Sequence, residues 1–237
     1  MQNHYSYQST LAASEKIGWK VEDLIGGEKK LDFAKPFMPE SLAQVKQLSF
    51  LTPQEQLTLN QIRGHEYLSM FGLVEEFILP YVVDHARPQL SGDDYRVRAL
   101  LQFAGEEAKH IHLFKRFREE FHENFGSKCD FIGPAQEVSR YELSHSPLGF
   151  GIAILHIEWI TLRHYMEGVK DNQDLDPQFK SLLKHHWLEE SQHTKLDTLI
   201  VDEVVANSAP EQIDQAFDEY AEIGGLIDNG LKQQSEL

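Results

Sequence analysis

Two short stretches decide the fold of this chain: Glu107-Ala108-Lys109-His110 and Glu190-Ser191-Gln192-His193. Each is a Glu-x-x-His tetrapeptide inside a long predicted helix. Side chains at positions i and i+3 are neighbours on a helix, so the carboxylate and the imidazole of each stretch can converge on one ion. A single tetrapeptide of this kind arises by chance in many helical proteins. The indication of a metal site therefore comes from the presence of two.

A further glutamate lies 32 residues before each tetrapeptide, Glu75 before Glu107 and Glu158 before Glu190. The chain thus repeats one pattern, a helix with Glu, a turn and a helix with Glu-x-x-His, at an offset of 83 residues. Four-helix bundles hold two metal ions in this way, with one Glu from each of two helices and Glu-x-x-His from each of the others. The repeat predicts a buried two-metal site.

Capping signals and the absence of any strand pattern predict an all-α fold with four long helices, accessory helices and an N-terminal arm. Residues 1–50 form the arm, packed on the bundle, and residues 51–237 form the helical domain. A short helix is also expected between Gly133 and Tyr141. In the last helix, Ile213, Phe217, Leu226 and Leu231 are expected to form the packing stripe. The predicted long helices run from Thr52-Pro53 to about Ala86 with a kink near Pro80, from Ser91-Gly92-Asp93-Asp94 to about Phe125, from Leu148 to about Val169, from Asp176-Pro177 to about Ala206, and from Pro210 onwards.

The net charge of the chain limits the classes of molecule that we expect it to bind. The formal net charge is −16, from 22 basic and 38 acidic residues, which argues against nucleic acids and membranes. No apolar run approaches the roughly 18 residues that span a bilayer, and the first residues show no signal-peptide pattern. The single cysteine, Cys129, cannot form an intrachain disulfide, so a cytoplasmic location is expected.

The donor set favours iron, with manganese as the alternative. Four carboxylates would neutralise two divalent cations, and mixed carboxylate and imidazole ligands suit these metals better than a closed zinc site. Glu76 competes with Glu75 for the first-helix position, and the repeat spacing favours Glu75. The alternative to a metal site is that the acids form salt bridges, although such pairing gives no reason for the double spacing. The candidate partners for those salt bridges are Lys109, Arg96, Arg98 and Arg163.

An additional histidine, His186, lies four residues before Glu190 and seven before His193. Positions i, i+4 and i+7 form one stripe on a helix, so all three can face the same side of the core. His186 is therefore a candidate metal ligand, and the alternative is a hydrogen bond to a ligand carboxylate. The complete set of predicted metal ligands is Glu75, Glu107, His110, Glu158, His186, Glu190 and His193.

These seven positions, within Thr52 to Ala206, resemble those of the ferritin-like di-iron carboxylate proteins, and among them the p-aminobenzoate N-oxygenase family of arylamine oxygenases. The resemblance implies a ferritin-like four-helix bundle, two iron ions and an extra histidine ligand at His186. It implies an oxygenase that activates O2 to oxidise a small organic substrate, by N-oxygenation or hydroxylation.

Other functions remain open. A ferritin- or rubrerythrin-like protein would oxidise iron or scavenge peroxide without an organic substrate. A radical-generating subunit like that of ribonucleotide reductase and a metal-free structural bundle are further alternatives. An oxygenase would need an external electron donor, because the chain shows no flavin, haem, nicotinamide or iron–sulfur motif. A homodimer is compatible with the sequence.

Overall fold

The computed structural model describes residues 5–132, 140–141 and 143–236. These ranges contain no β-strand and only one isolated bridge pair, between Gly26 and Lys29, which confirms the all-α prediction for the described residues. None of the helices described here is long and apolar enough to cross a membrane. The seven α-helices in these ranges are α1 Tyr7–Ser14, α2 Glu40–Ala43, α3 Pro53–Ala86, α4 Asp94–Phe125, α5 Pro147–His164, α6 Pro177–Ala206 and α7 Pro210–Gln234.

The ends of the long helices follow the capping residues. At the start of α3, the Glu55 backbone N–H donates to the Thr52 hydroxyl at 3.3 Å, and the Thr52 N–H donates to the Glu55 carboxylate at 2.7 Å. Ser146 and Asp176 cap α5 and α6, each followed by a proline whose missing N–H costs nothing there. Gly126 ends α4 with a φ of +81°, a conformation that glycine adopts without strain.

The four long helices pack as two pairs. α3 lies along α4, and α5 lies along α6. Helices α4 and α6 also meet across the centre, which places the two Glu-x-x-His stretches opposite each other. The short α1 lies against α4 and α6, whereas α7 lies along α5.

The apolar core consists of two clusters separated by polar residues. On α4, Phe103 belongs to one cluster and Phe114 to the other. On α6, Leu182 and Leu196 are divided in the same way. The buried carboxylates and imidazoles of both helices occupy the stretch between the clusters. Burying charged groups at this depth is costly unless they are paired or bind a metal.

The N-terminal segment belongs to the core. Phe37 is fully buried, with its ring centroid 5.1 Å from that of Phe179 and 6.3 Å from that of Phe121. The side-chain oxygen of Asn60 on α3 accepts hydrogen bonds from the backbone N–H groups of Phe37 and Met38. This segment therefore contributes packed aromatic side chains as well as covering the helices.

The exposed face of α7 differs from the one that the sequence predicts. The packing stripe predicted for the last helix is wrong at Phe217 and Leu231, which are 57% and 51% exposed, whereas Ala216 and Ile223 are buried. Phe217 follows the buried Ala216 directly, so it lies on a different face of α7 from the one that contacts α5. The short helix predicted between Gly133 and Tyr141 falls largely outside the described residues.

Candidate metal centre

Six of the seven predicted ligands come together between α3, α4 and α6, and all six are almost completely buried. They form two overlapping groups of four that share His110 and Glu190. Within each group, one ligand atom from every residue lies within 4.8 Å of the others. The first group is Glu75, His110, His186 and Glu190, and the second is Glu107, His110, Glu190 and His193.

Glu190 lies at the middle of both groups. Its Oε1 is 3.3 Å from His110 Nδ1, 3.3 Å from His186 Nε2 and 3.1 Å from His193 Nδ1. Burial alone would raise the pKa of this carboxyl, but the neighbouring imidazoles, led by His186, lower it to about 2. A carboxylate that stays charged among several donors is suited to contact more than one cation.

Glu75 and Glu107 complete the two groups from different helices. Glu75 Oε1 lies 2.9 Å from His186 Nε2, and Glu107 Oε1 lies 2.8 Å from His193 Nδ1. The neighbouring Glu76 is exposed. Of the two glutamates that competed in the sequence, the structure therefore places Glu75 in the cluster.

Two further carboxylates contact the histidine nitrogens that face away from the centre. Each contact joins one helix of the α4–α6 pair to the other. His110 Nε2 on α4 lies 2.9 Å from Glu189 Oε2 on α6, and His193 Nε2 on α6 lies 2.9 Å from Glu106 Oε2 on α4. Donation from Nε2 leaves the Nδ1 lone pair of each ring free for a metal ion. Lys109 pairs with Glu189 and Ser14 donates to Glu106, so both carboxylates are held in turn.

Glu106 and Glu189 are not among the predicted ligands, although the sequence contains a signal for them. Each directly precedes the glutamate of a Glu-x-x-His stretch, so the doubled acid recurs at the same offset of 83 residues. Burial opposes the charge of Glu106, but the hydrogen bond from His193 and the other contacts lower its pKa to about 2. This carboxylate thus remains an acceptor near neutral pH.

Glu158 is buried on α5 but belongs to neither group of four. Burial raises its pKa well above the usual range, and the negative charges of Asp197 and Glu190 add to this effect. Asp197, one turn beyond His193 on α6, is also buried, and burial raises its pKa to about 7. The structure therefore places Glu158 beside the cluster, near enough to Asp197 for the two acids to influence each other's pKa.

The donor set fits a cation. Glu75 Oε2, both carboxylate oxygens of Glu107 and His110 Nδ1 are buried and make no well-aligned hydrogen bond to a described residue, although Glu107 Oε1 lies 2.8 Å from His193 Nδ1. Leaving a buried polar atom unsatisfied costs about 1–3 kcal/mol, so four of them around one centre require compensation. Glu75 and the other carboxylates also raise the pKa of His110 to about 9 against the effect of its burial. The electrostatic field of the site favours positive charge, and the buried groups could hold metal ions.

The cations considered as salt-bridge partners for the predicted ligands pair with other acids. Arg96 contacts Glu203 at 2.6 Å, and Arg163 contacts Glu167 at 3.0 Å. Arg98 contacts Glu15 and Asp94, and Lys109 contacts Glu189. The salt-bridge alternative therefore has no support from the described contacts.

An aromatic residue of the N-terminal segment covers the centre. The Trp19 ring is almost parallel to that of His110, at a centroid distance of 6.1 Å and an interplanar angle of 8°. Lys109 Nζ lies 3.9 Å from the Trp19 ring centroid. Trp19 is 8% exposed, so this stacking helps to exclude water from the histidine side of the site.

An apolar cavity of about 230 Å³ lies between α3, α5 and α7. Its walls include Val74 and Ile157, the immediate sequence neighbours of Glu75 and Glu158. Phe71 also lines it, and the ring centroid of Phe71 is 5.8 Å from that of His186. The cavity therefore adjoins the cluster. On the α7 side it is closed by Leu226 and Ile227, with polar groups from Asn229 and Gln233.

Comparison with known proteins does not assign the chain to a family. No model of a known protein family matches the chain, and no curated protein matches it either.

Proposed function

We propose that this protein is a ferritin-like di-iron oxygenase that activates O2 and oxidises a small organic substrate at nitrogen or carbon. The observation that carries the proposal is the pair of overlapping ligand groups around Glu190, next to an apolar cavity. Overlapping groups that share a carboxylate suit two neighbouring ions better than one. The spacing of the predicted ligands along the chain resembles that of ferritin-like di-iron carboxylate proteins, which supports the proposal.

The donor chemistry supports iron, and manganese is its closest competitor. Glu75, Glu107 and Glu190 supply three carboxylates to the cluster, and Glu158 beside it would complete the charge of two divalent cations if it lost its proton. The remaining donors are imidazoles, and Cys129 lies outside the cluster. Oxygen and nitrogen donors without thiolates are the usual environment of non-haem iron and manganese.

Bound iron would supply the redox chemistry with O2 that amino-acid side chains lack. Glu106 and Glu189 would orient the two imidazoles, and Trp19 would help to keep water away. If one oxygen atom of O2 enters the substrate and the other leaves as water, two electrons and two protons are required. An external reductase or a small reductant would provide these electrons.

The apolar cavity distinguishes the oxygenase from its main alternative. Iron oxidation or peroxide scavenging needs only small inorganic reactants, and an apolar chamber of about 230 Å³ beside the ligands has no role in it. The walls suit the apolar body of an organic molecule, and the volume, below the roughly 300–1,000 Å³ of most ligand sites, limits that molecule to a small one. We therefore place the organic substrate in this cavity, against Phe71, Val74 and Ile157.

The metal assignment is tested with two adjacent glutamates. Glu75→Ala removes a clustered carboxylate, so it should reduce the iron content below two equivalents in anaerobic Fe(II) titrations followed by metal analysis. Glu76→Ala changes the exposed neighbour and should retain two equivalents. Equal iron binding by both variants, or no iron or manganese in the unaltered protein after loading, would contradict the metal site.

The oxygenase assignment is tested by exposing the iron-loaded protein to ¹⁸O2 with a reductant and an arylamine such as aniline. Label in an N-oxygenated or hydroxylated product supports the proposal. Oxidation of iron at the same rate and O2 stoichiometry with and without organic compounds, and no labelled product, would instead support iron handling.

A further inference from the structure

A second cavity, of about 490 Å³, opens between α3, α4 and residues 128–132. It is lined by Glu76, the neighbour of Glu75 that faces away from the metal centre. The side chains of Lys115, Arg118, His122, Lys128 and Asp130 also line it. We call it the basic cavity. Its volume is that of a small-molecule site, because such sites typically measure about 300–1,000 Å³.

The basic cavity differs in the sign of its charge from the molecule as a whole. The chain carries a net charge of −16, yet three cationic side chains meet here against two acidic ones. Lys128 Nζ pairs with Asp130 at 2.6 Å, which accounts for one charge of each sign. The two remaining cations, Lys115 and Arg118, are balanced only by the single negative charge of Glu76. The cavity therefore has an excess of positive charge.

Neither of these two cations is satisfied by the described protein atoms. Lys115 and Arg118 make no side-chain hydrogen bond and no ion pair within 4.0 Å to any described residue. Arg118 is half-buried, and its Nε is buried without a hydrogen-bond partner in the described ranges. Burial lowers the pKa of this guanidinium, and the attraction of Glu76 only partly opposes the effect. A half-buried guanidinium without a hydrogen-bond or ion-pair partner among the described residues can bind an oxyanion through its free N–H groups.

His122 adds a third nitrogen ligand whose orientation is fixed. Its Nε2 lies 3.1 Å from Nε2 of the buried His65, and the His65 ring stacks on Phe121 at a centroid distance of 4.7 Å. His122 Nδ1 makes no hydrogen bond to the described residues. The cavity thus presents a guanidinium, an ammonium group and an imidazole from three successive turns of α4.

We propose that the basic cavity binds a small molecule through an oxyanion, a carboxylate or a phosphate, with Arg118 and Lys115 as its principal ligands. The guanidinium donates two parallel hydrogen bonds to two oxygens of the anion, and the ammonium group neutralises the remaining charge. The site does not depend on the metal centre or on the proposed oxygenase reaction. Its lining residues are different from the metal ligands, and it lies on another face of α3.

The test is isothermal titration calorimetry of the iron-loaded protein with inorganic phosphate and, separately, with acetate, at fixed ionic strength. We expect saturable binding with a Kd on the order of 1 mM or tighter for at least one of them. The anion that binds more tightly identifies the oxyanion. Arg118→Gln and Lys115→Gln should each weaken binding by roughly tenfold or more, which corresponds to about 1.4 kcal/mol at 25 °C.

Two matched variants make this test specific. Glu76→Gln removes the acid that competes with the ligand, so it should tighten binding, which is the opposite of the effect of Arg118→Gln. Lys170→Gln removes an exposed lysine outside the cavity and should leave the affinity unchanged. Phosphate bound to the iron would be indifferent to Arg118→Gln.

The absence of saturable binding of both anions to the unaltered protein would overturn the proposal. The same conclusion would follow if Lys115→Gln and Arg118→Gln bound the anion as tightly as the unaltered protein.

Discussion

Glu190 is a buried carboxylate that contacts three histidines of the centre. A buried carboxylate loses several kcal/mol of hydration, and it stays charged only when nearby groups return that energy. Three imidazole nitrogens within 3.3 Å do so, which is why its pKa falls to about 2 despite complete burial. The histidines keep this arrangement because Glu189 and Glu106 hold the far side of two of the rings. The geometry of the ligands therefore depends on carboxylates that do not themselves face the centre.

The first prediction at the residue scale concerns Glu189. Glu189→Gln preserves the shape of the side chain but removes the negative charge that makes His110 a better donor. We expect iron affinity to fall by about 10- to 100-fold, with two equivalents still bound at saturation. Anaerobic competition titrations against a chelator measure this change.

A control for this variant exists on the same pair of helices. Glu203 on α6 pairs with Arg96 on α4, just as Glu189 pairs with Lys109. Glu203→Gln should leave the iron affinity unchanged, since Glu203 does not contact a predicted ligand. An equal loss in both variants would show that the effect arises from the salt bridge between the helices and not from the histidine.

The sequence was most informative where spacing along one helix determines the chemistry. The positions of Glu107 and His110, and of His186, Glu190 and His193, follow from the helical period. The supporting acids could not be derived in the same way, because they act across helices: Glu189 supports the histidine of α4, and Glu106 supports that of α6. The proximity of Glu158 to Asp197 likewise depends on how α5 and α6 are packed.

At the scale of elements, the helix ends were predictable because capping is local. Thr52, Ser146 and Asp176 stand directly before a proline, and each cap forms as its sequence indicates. The N-terminal segment and α7 were less predictable. The residues that they bury, such as Phe37 and Ala216, depend on which helices they contact. The local sequence does not determine those contacts.

The docking of the N-terminal segment leads to a prediction about stability. At Gly64 on α3, an added Cβ would lie 2.9 Å from Phe37 Cβ and 3.3 Å from Phe179 Cζ. Gly64→Ala should therefore lower the free energy of unfolding by about 1–3 kcal/mol, because overpacking forces the backbone to move. Urea unfolding measures this value.

Gly224→Ala provides the opposite case. A Cβ added at this helical glycine of α7 would meet no atom of another element within 4 Å, so alanine should stabilise the protein by roughly 0.5–1 kcal/mol. If Gly64→Ala were as stable as the unaltered protein, the close packing of Phe37 against α3 would be contradicted.

At the scale of the whole molecule, three faces of α3 lie in three chemically different environments. One face of this helix supplies Glu75 to the buried cluster, another lines the apolar cavity, and a third supplies Glu76 to the basic cavity. Leu73 and Ile132 line both cavities, so they form the partition between the two. This division could not be predicted from the sequence, because both cavities are closed by residues far along the chain from α3.

The apolar cavity gives the prediction that separates the two leading functions. Leu226 reaches this cavity from α7, whereas the clustered ligands are on α3, α4 and α6. Leu226→Trp should fill the cavity and leave the ligands in place. For an oxygenase, we expect two iron equivalents and unchanged iron oxidation, but a loss of at least about tenfold in kcat/KM for arylamine oxidation, or about 1.4 kcal/mol of transition-state stabilisation.

The control substitution lies on the same helix. Phe217→Trp enlarges an exposed side chain that does not line the cavity, and it should retain full activity. The comparison rests on labelled product measured beside iron oxidation in each variant. An iron-handling protein would show the same iron oxidation in Leu226→Trp, in Phe217→Trp and in the unaltered chain, without any arylamine product. An oxygenase whose arylamine turnover survived Leu226→Trp would have to bind its substrate outside this cavity, because the tryptophan occupies the space beside Phe71 and Val74.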